Sequence, residues 1–334
     1  MSVKKIALVT GGYSGESVIS YRTAKTIEQH LDPSLFKTYL IDITREGWFY
    51  IEGTEKKIPV DKNDFSITMG GEKVNFDAAF IALHGTPGED GKLQGYLDML
   101  NIPYTSCDAT TSSLTFNKRY TTAVAGAAGI GVARSVLLIQ GALENWEDRV
   151  APLRFPVFVK PNNGGSSIGM SKVESAGEPL REALAKALKE DTQVLIEEMI
   201  QGREFTVGVF RSKGEIVVLP ITEVVADADM PFFDFVAKYQ GKSTETTPAE
   251  IDERTAQKIR EAAQQVYQAF NCRGVVRIDF IYQEQEERPY MLELNSIPGQ
   301  SEASIIPQQV KSKGWTLTEF YTQLLQDCLS SFSK

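Results

Sequence analysis

Residues 275–282 read Val-Val-Arg277-Ile-Asp279-Phe-Ile-Tyr282, and residues 290–295 read Tyr290-Met-Leu-Glu293-Leu-Asn295, with Pro298-Gly299 close behind. Both runs have strand length and strand patterning, and the polar stretch 283–289 separates them, so an antiparallel hairpin is predicted. Side chains two apart share one face of a strand, which sets Arg277 beside Asp279 and Glu293 beside Asn295. Pairing then gathers three oxygen ligands and one guanidinium on one patch. Two carboxylates and an amide suit hard Mg²⁺, which keeps positions for water and nucleotide phosphates, while the guanidinium suits an oxyanion. The chemistry suggested is phosphoryl transfer to an acid. A surface cluster of strand salt bridges would use the same residues, and the hairpin alone leaves that alternative open.

Upstream, the strand 155–160 ends at Lys160 and runs into Pro161-Asn-Asn-Gly164-Gly165-Ser166-Ser167-Ile-Gly169, a glycine-serine hairpin with a strand on each side. Such a loop offers backbone N–H groups, hydroxyls and one cation to a phosphate, although a turn without a ligand uses the same residues. Lys118, in Asn117-Lys118-Arg119, is a second candidate phosphate cation. Glu197 and Glu198 end the strand 194–198, and Glu204 opens the next across Gly202; they are candidate acceptors for a ribose diol and an adenine amino group. The loop 226–248 carries Lys238-Tyr239 and has the length of a lid.

The chain begins as strand 6–9, the glycine-rich turn Gly11-Gly12-Tyr13-Ser14-Gly15-Glu16 and a helix 19–27, the opening of an α/β fold. Glu16 falls in the first helical turn, where the macrodipole favours a carboxylate with or without a ligand. A second strand, 37–43, precedes residues 48–76, whose scattered Gly, Lys and Asp suggest a hairpin insertion rather than core. A buried strand at 78–83 leads to His84-Gly85 and Gly88-Glu89-Asp90-Gly91, then a helix at 93–100. One helix is expected over 110–128, another over 251–270, and a last one with Leu317, Phe320, Tyr321, Leu324, Cys328 and Leu329 on its buried face. The expected domains are 1–105, 106–199 and 200–334.

At 334 residues the chain can bury a large core, and its net charge of -9 argues against a nucleic-acid backbone or an anionic membrane as main partner. The three cysteines are isolated and lack CxxC spacing, so a reducing cytoplasm fits best. The basic-then-apolar start is only a strand long before Gly11-Gly12, unlike a signal peptide, and no run is long enough to span a bilayer.

Taken in order, Gly11-Gly12-x-Ser14-x-Glu16 with Ser20, Leu83-His84-Gly85 with Gly88-Glu89-Asp90-Gly91 and Gln94-Gly95, Lys160-Pro161 with Gly165-Ser166-Ser167-x-Gly169-Met170, Gly202-Arg203-Glu204, Arg277-x-Asp279, and Glu293-x-Asn295-x-x-Pro298-Gly299 with Ser304 resemble the D-alanine-D-alanine ligases of the ATP-grasp superfamily. The resemblance spans nearly the whole chain. It implies an N-terminal Rossmann-like domain followed by a two-part ATP-grasp fold. It further implies that Asp279, Glu293 and Asn295 carry two Mg²⁺ (or Mn²⁺) ions. Lys118, Lys160, Glu197 and Glu204 would hold ATP, with backbone near Glu198 and Ile200 at the adenine, and the Ser166-Ser167 loop closing over the phosphates. Glu16 would take the ammonium of the first D-alanine, grouped with Ser166 and Tyr239, and Lys238 would lie over the phosphate. Arg277 and the Gly299 N–H would clamp the oxyanion, and Ser304 with the Ile305 backbone would receive the second carboxylate. A cytoplasmic homodimer is expected from the family.

Departures from the commonest pattern, at Gly15, Asn163-Gly164, Ile297 and Ala303, remove none of these ligands. A ligase for D-lactate or D-serine would be expected to lose Tyr239 or Glu16, and a silent nucleotide-binding protein to lose the metal triad or Arg277; all are present. An oxidoreductase is disfavoured, because the first glycine turn is not GxGxxG.

Overall fold

The computed structural model describes residues 2–53, 56–165, 168–226 and 243–331. Three sheets organise them. The first has seven strands, in the order Glu72–Val74, Ser66–Met69, Lys56–Asp61, Trp48–Glu52, Phe36–Ile43, Lys4–Gly11, Ala78–Ile81. Lys4–Gly11 pairs in parallel with Phe36–Ile43 and with Ala78–Ile81, as the strand, turn and helix reading of the N-terminus requires.

Residues 48–76 correct the expectation of an insertion outside the core. They form a four-stranded antiparallel meander that extends this sheet. Val60, Phe65, Ile67 and Phe76 are buried with Ala7, Val9, Tyr39 and Ile41. The Gly, Lys and Asp residues serve the turns and the solvent face, and alternation along short strands hides an apolar face among them.

The second sheet is antiparallel, ordered Ser171–Val173, Val157–Pro161, Gln193–Glu198, Ser135–Ile139, and buries one face under the helix Glu178–Ala187. The third runs Ser243–Thr246, Thr222–Ala226, Arg203–Ser212, Val276–Gln283, Arg288–Asn295, with Glu215–Val218 paired to Arg203–Ser212. Its core is closed by the amphipathic helix Glu253–Ala269, through Ile259, Ala263 and Val266. The closing helix Leu317–Ser331 buries Phe320, Tyr321 and Leu324 against Ile6, Leu8 and Phe80 of the first sheet and Phe210 of the third. The two ends of the chain therefore share one core.

The single helix expected over 110–128 is two, Ala109–Phe116 and Lys118–Ala127. Asn117 between them is extended, at φ -102° and ψ 108°, and its side-chain oxygen accepts from the Tyr120 N–H at 3.0 Å. This N-cap competes successfully with helix continuation and makes Lys118 a first-turn residue. Among the described residues no helix is long and apolar enough to cross a membrane.

Candidate active site

The ladder predicted from residues 275–295 forms. Arg277 stands opposite Asn295 and Asp279 opposite Glu293. The Arg277 guanidinium donates to both carboxylate oxygens of Asp279, Nε to Oδ1 at 2.9 Å and an Nη to Oδ2 at 2.8 Å. It also lies 3.6 Å from Glu293 Oε1. Asn295 Nδ2 reaches Asp279 Oδ2 at 3.3 Å and Glu293 Oε1 at 3.4 Å. Thr206 donates its hydroxyl to Asp279 from the neighbouring strand, where the two residues are register partners. Between Asp279 and Phe280 the register slips, leaving Leu292 as the extra residue of the partner strand. Such a bulge re-aims side chains, and Leu292, Glu293 and Leu294 all line the adjoining cleft.

That cleft measures about 320 Å³. Its walls include Glu16, His84, Glu89, Lys118, Gly165, Glu204, Arg277, Asp279, Glu293, Asn295, Gly299, Ser304 and Ile305. Residues spread over nearly the whole sequence thus meet in one cavity. Lys118 Nζ donates to the Gly164 carbonyl at 2.7 Å, which ties the first helical turn after Asn117 to the glycine-serine hairpin.

Glu16 precedes the helix Ser17–His30 and lies between two glycines. A Cβ built on Gly85, where φ is +67°, would fall 2.8 Å from Glu16 Oε2, and one on Gly165 would fall 3.0 Å from Oε1. Glycine at 85 is therefore required twice, by conformation and by the close approach to the carboxylate. Its N–H donates to Glu89 Oε2 at 2.7 Å. Desolvation, and then the neighbouring Glu16 carboxylate, push the Glu89 carboxyl up to about 8. Burial lowers the His84 imidazole to about 4, so the ring is neutral at neutral pH.

Ser304 begins the helix Ile305–Ser312, and its hydroxyl pairs with that of Ser301 at 2.7 Å rather than capping the helix. The helix N-terminus consequently faces the cleft with N–H groups suited to an anion.

Other sequence candidates sit outside the cleft wall. Lys160 is ion-paired with Glu197 on the second sheet, both nearly buried. Glu198, next along the strand, points to the opposite face and accepts from Arg154 Nε and Nη at 3.0 and 2.8 Å, and from the Arg154 N–H at 3.0 Å. That ion pair occupies its carboxylate, which had been a candidate acceptor for the nucleotide. Ile200 lies in the link between Gln193–Glu198 and Arg203–Ser212. Ser166, Ser167, Lys238, Tyr239 and most of the expected lid lie outside the described residues.

Sequence reasoning missed Thr206, Leu292 and the elevated Glu89. Thr206 was recoverable, since it is two residues from Glu204 on the same face of a strand. Leu292 and Glu89 depend on a register slip and on a tertiary approach, which no local pattern displays.

Comparison with known proteins gives a consistent outcome. Residues 5–107 match the family model described as "D-ala D-ala ligase N-terminus", and residues 124–326 match "D-ala D-ala ligase C-terminus". A D-alanine--D-alanine ligase of Flavobacterium johnsoniae is 45% identical over 324 residues, 97% of this chain and 99% of the relative. Among solved structures, the VanG D-Ala:D-Ser ligase of Enterococcus faecalis superposes with a TM-score of 0.86 at 29% identity, over 99% of this chain and 100% of its own. The D-alanyl-alanine synthetase A of Vibrio cholerae superposes at 0.85 and 27% identity, over 99% of both chains.

Proposed function

The chain belongs to the D-alanine–D-alanine ligase family, and from that premise we propose how its residues divide the work of joining two D-alanine molecules at the expense of ATP for peptidoglycan precursor synthesis. One observation carries the assignment of roles: Glu16, the Arg277–Asp279–Glu293–Asn295 patch, the Gly299 turn and the Ser304 helix end all line the same cleft.

The carboxylate of the first D-alanine attacks the γ-phosphorus of ATP, releasing ADP and giving an acyl phosphate. The second D-alanine, its ammonium having lost a proton, attacks the acyl carbon through nitrogen. A tetrahedral oxyanion forms and collapses as inorganic phosphate leaves with the C–O bonding pair, yielding the dipeptide. Arg277 and the Gly299 N–H meet the oxyanion, supplying the electrostatic stabilisation that such a step needs. Glu16 pairs with the first ammonium. Ser304 and the Ile305 N–H, at the helix N-terminus, receive the second carboxylate.

Lys118 and Glu204, both in the cleft, hold phosphate and ribose, and Lys160, Glu197 and the backbone near Glu198 and Ile200 complete the nucleotide site. We also assign the Ser166-Ser167 loop, Lys238 and Tyr239 their family roles over the phosphates and the acceptor. The donor set fits hard divalent cations: two carboxylates and an amide lie within hydrogen-bond reach of one another, with Asp279 buried. Asp279, Glu293 and Asn295 would hold two Mg²⁺ (or Mn²⁺) ions, which when bound neutralise phosphate charge. We also propose a cytoplasmic homodimer, supported by family resemblance alone.

The test is ADP release with Mg²⁺-ATP and D-alanine, run beside L-alanine, D-serine and D-lactate with mass detection of product. D-alanyl-D-alanine from D-alanine alone is the expected result. A mixed D-alanyl-D-serine product would move the acceptor assignment to the D-Ala:D-Ser chemistry for which the VanG ligase is named, leaving the ATP chemistry intact.

A further inference from the structure

Residues 297–300 form the turn that presents Gly299 to the cleft. An N–H donor stabilises an oxyanion only if its position is fixed before charge develops, so what holds this turn matters. The helix Ser17–His30 supplies the answer. Glu16, Ser20 and Thr23 are spaced by four and three residues and lie along one stripe, which faces inward. Ser20 Oγ accepts from the His84 main-chain N–H at 2.9 Å. Thr23 Oγ1 lies 3.0 Å from His84 Nε2 and accepts from the Gln300 N–H at 3.3 Å. The Ile297 carbonyl lies near the His84 ring and favours its protonated form. Thr23 is 0% exposed, Gln300 2%, Ile297 3% and His84 7%.

The polarity of this chain is determined by chemistry. The nearby Ile297 carbonyl can only accept, which favours the tautomer with its proton on the ring nitrogen away from Thr23. A neutral imidazole has one N–H, so its other nitrogen accepts, and the Thr23 hydroxyl is the donor to it. The hydroxyl oxygen is then available to accept from Gln300.

We propose that Thr23 and His84 are positioning residues, linking the Gln300 N–H through the Thr23 hydroxyl to a His84 imidazole whose main chain is held by Ser20, and so bracing the turn that offers the Gly299 N–H to the tetrahedral oxyanion. This rests on the reading of Gly299 as an oxyanion donor. The brace ties the Gln300 end of the turn and the His84 main chain to the helix that Glu16 begins. Seating the first ammonium and presenting the oxyanion donor are thereby fixed to one rigid element.

Thr23→Val keeps side-chain shape and removes the donor, and Thr23→Ser restores it. For Thr23→Val, kcat is expected to fall roughly ten- to a hundred-fold, since small displacements of a catalytic donor act on the transition state. KM for ATP and for D-alanine should change less than about three-fold. Affinity for a tetrahedral phosphinate analogue of the dipeptide, measured with ATP present, should fall in step with kcat, because such an analogue samples transition-state contacts. Thr23→Ser should recover both. Arg277→Met is measured in parallel on the analogue. If Arg277→Met weakens the analogue and Thr23→Val does not, the brace is refuted and the oxyanion reading stands. If neither weakens it, the oxyanion reading fails and the brace with it. A kcat loss that follows melting temperature and is not recovered by Thr23→Ser also overturns the proposal. Should Thr23→Val be recovered unfolded, Thr23→Ala carries the same readings.

Discussion

Asp279 faces Glu293 directly across an antiparallel ladder. Two carboxylates at such a position repel unless cations intervene, and here Arg277 stands between them, at 2.8 Å from Asp279 and 3.6 Å from Glu293. The guanidinium thus partly neutralises the pair within the protein itself. A divalent ion entering the patch would share the carboxylates with Arg277 and leave the guanidinium more available to a substrate oxyanion.

Glu293→Gln is therefore expected to remove dipeptide formation, by about a thousand-fold or more if both oxygens serve a metal, while the fold survives. Without added divalent ions its melting temperature should equal or exceed that of the parent, because one of two facing like charges is gone. The rise in melting temperature that Mg²⁺ produces by binding the native state should disappear. Near-normal turnover in the variant, measured by mass detection of the dipeptide, would refute the metal assignment.

Lys160 and Glu197 form an ion pair whose side chains are 12% and 7% exposed. Breaking one partner leaves an uncompensated buried charge, a loss of about 3–5 kcal/mol, whereas replacing both by apolar groups is often neutral. Lys160→Met should fall in stability by about that amount on urea unfolding, and Lys160→Met with Glu197→Leu should recover most of it. If Lys160 serves ATP, the double variant still shows KM for ATP raised about ten-fold or more. Recovery of both properties together would make the pair purely structural.

The hairpin 275–295 was legible because period-two patterning states which side chains share a face, and Arg277, Asp279, Glu293 and Asn295 follow from it. The strands read at 6–9, 37–43 and 78–83 were legible by another signal, as short apolar runs ending near turn residues, and their parallel pairing is a finding of the structure. Three features were not. Asn117 was read through its neighbour Lys118, although an Asn before a helical run is also a cap. Residues 48–76 are too rich in turn residues for their apolar face to stand out until the strands pair. The packing of Leu317–Ser331 onto Ile6, Leu8 and Phe80 joins opposite ends of the chain, and a helical stripe records that it is buried without recording against what.

Gly202, in the link between the second and third sheets, illustrates a constraint carried by backbone. A Cβ there would fall 2.1 Å from the Tyr282 carbonyl oxygen. Backbone of a central strand cannot retreat as a flexible side chain can, so Gly202→Ala should cost about 1–3 kcal/mol of stability through overpacking. It should also disturb Glu204, two residues on, raising KM for ATP more than KM for D-alanine. Unfolding curves and initial rates test the two consequences separately.

Glu89 gives a pH dependence whose sign follows from its surroundings. Its carboxyl is pushed up to about 8, by desolvation first and the Glu16 carboxylate second, from an ordinary value of 4.5. Between those two values the folded protein holds a proton that the unfolded chain has lost, so stability falls as pH rises through that window. The contribution is complete below pH 4.5 and gone above about 8. Glu89→Gln preserves an oxygen acceptor for the Gly85 N–H and cannot ionise. Its stability should therefore fall less than the parent's over that window when both are unfolded in urea at a series of pH values. A neutral residue at 89 leaves the Glu16 carboxylate in place, so the variant should retain D-alanine binding at pH 7. Parallel pH profiles for the two proteins would show that Glu89 is ionised throughout and that the carboxylate pair is stabilised by other means.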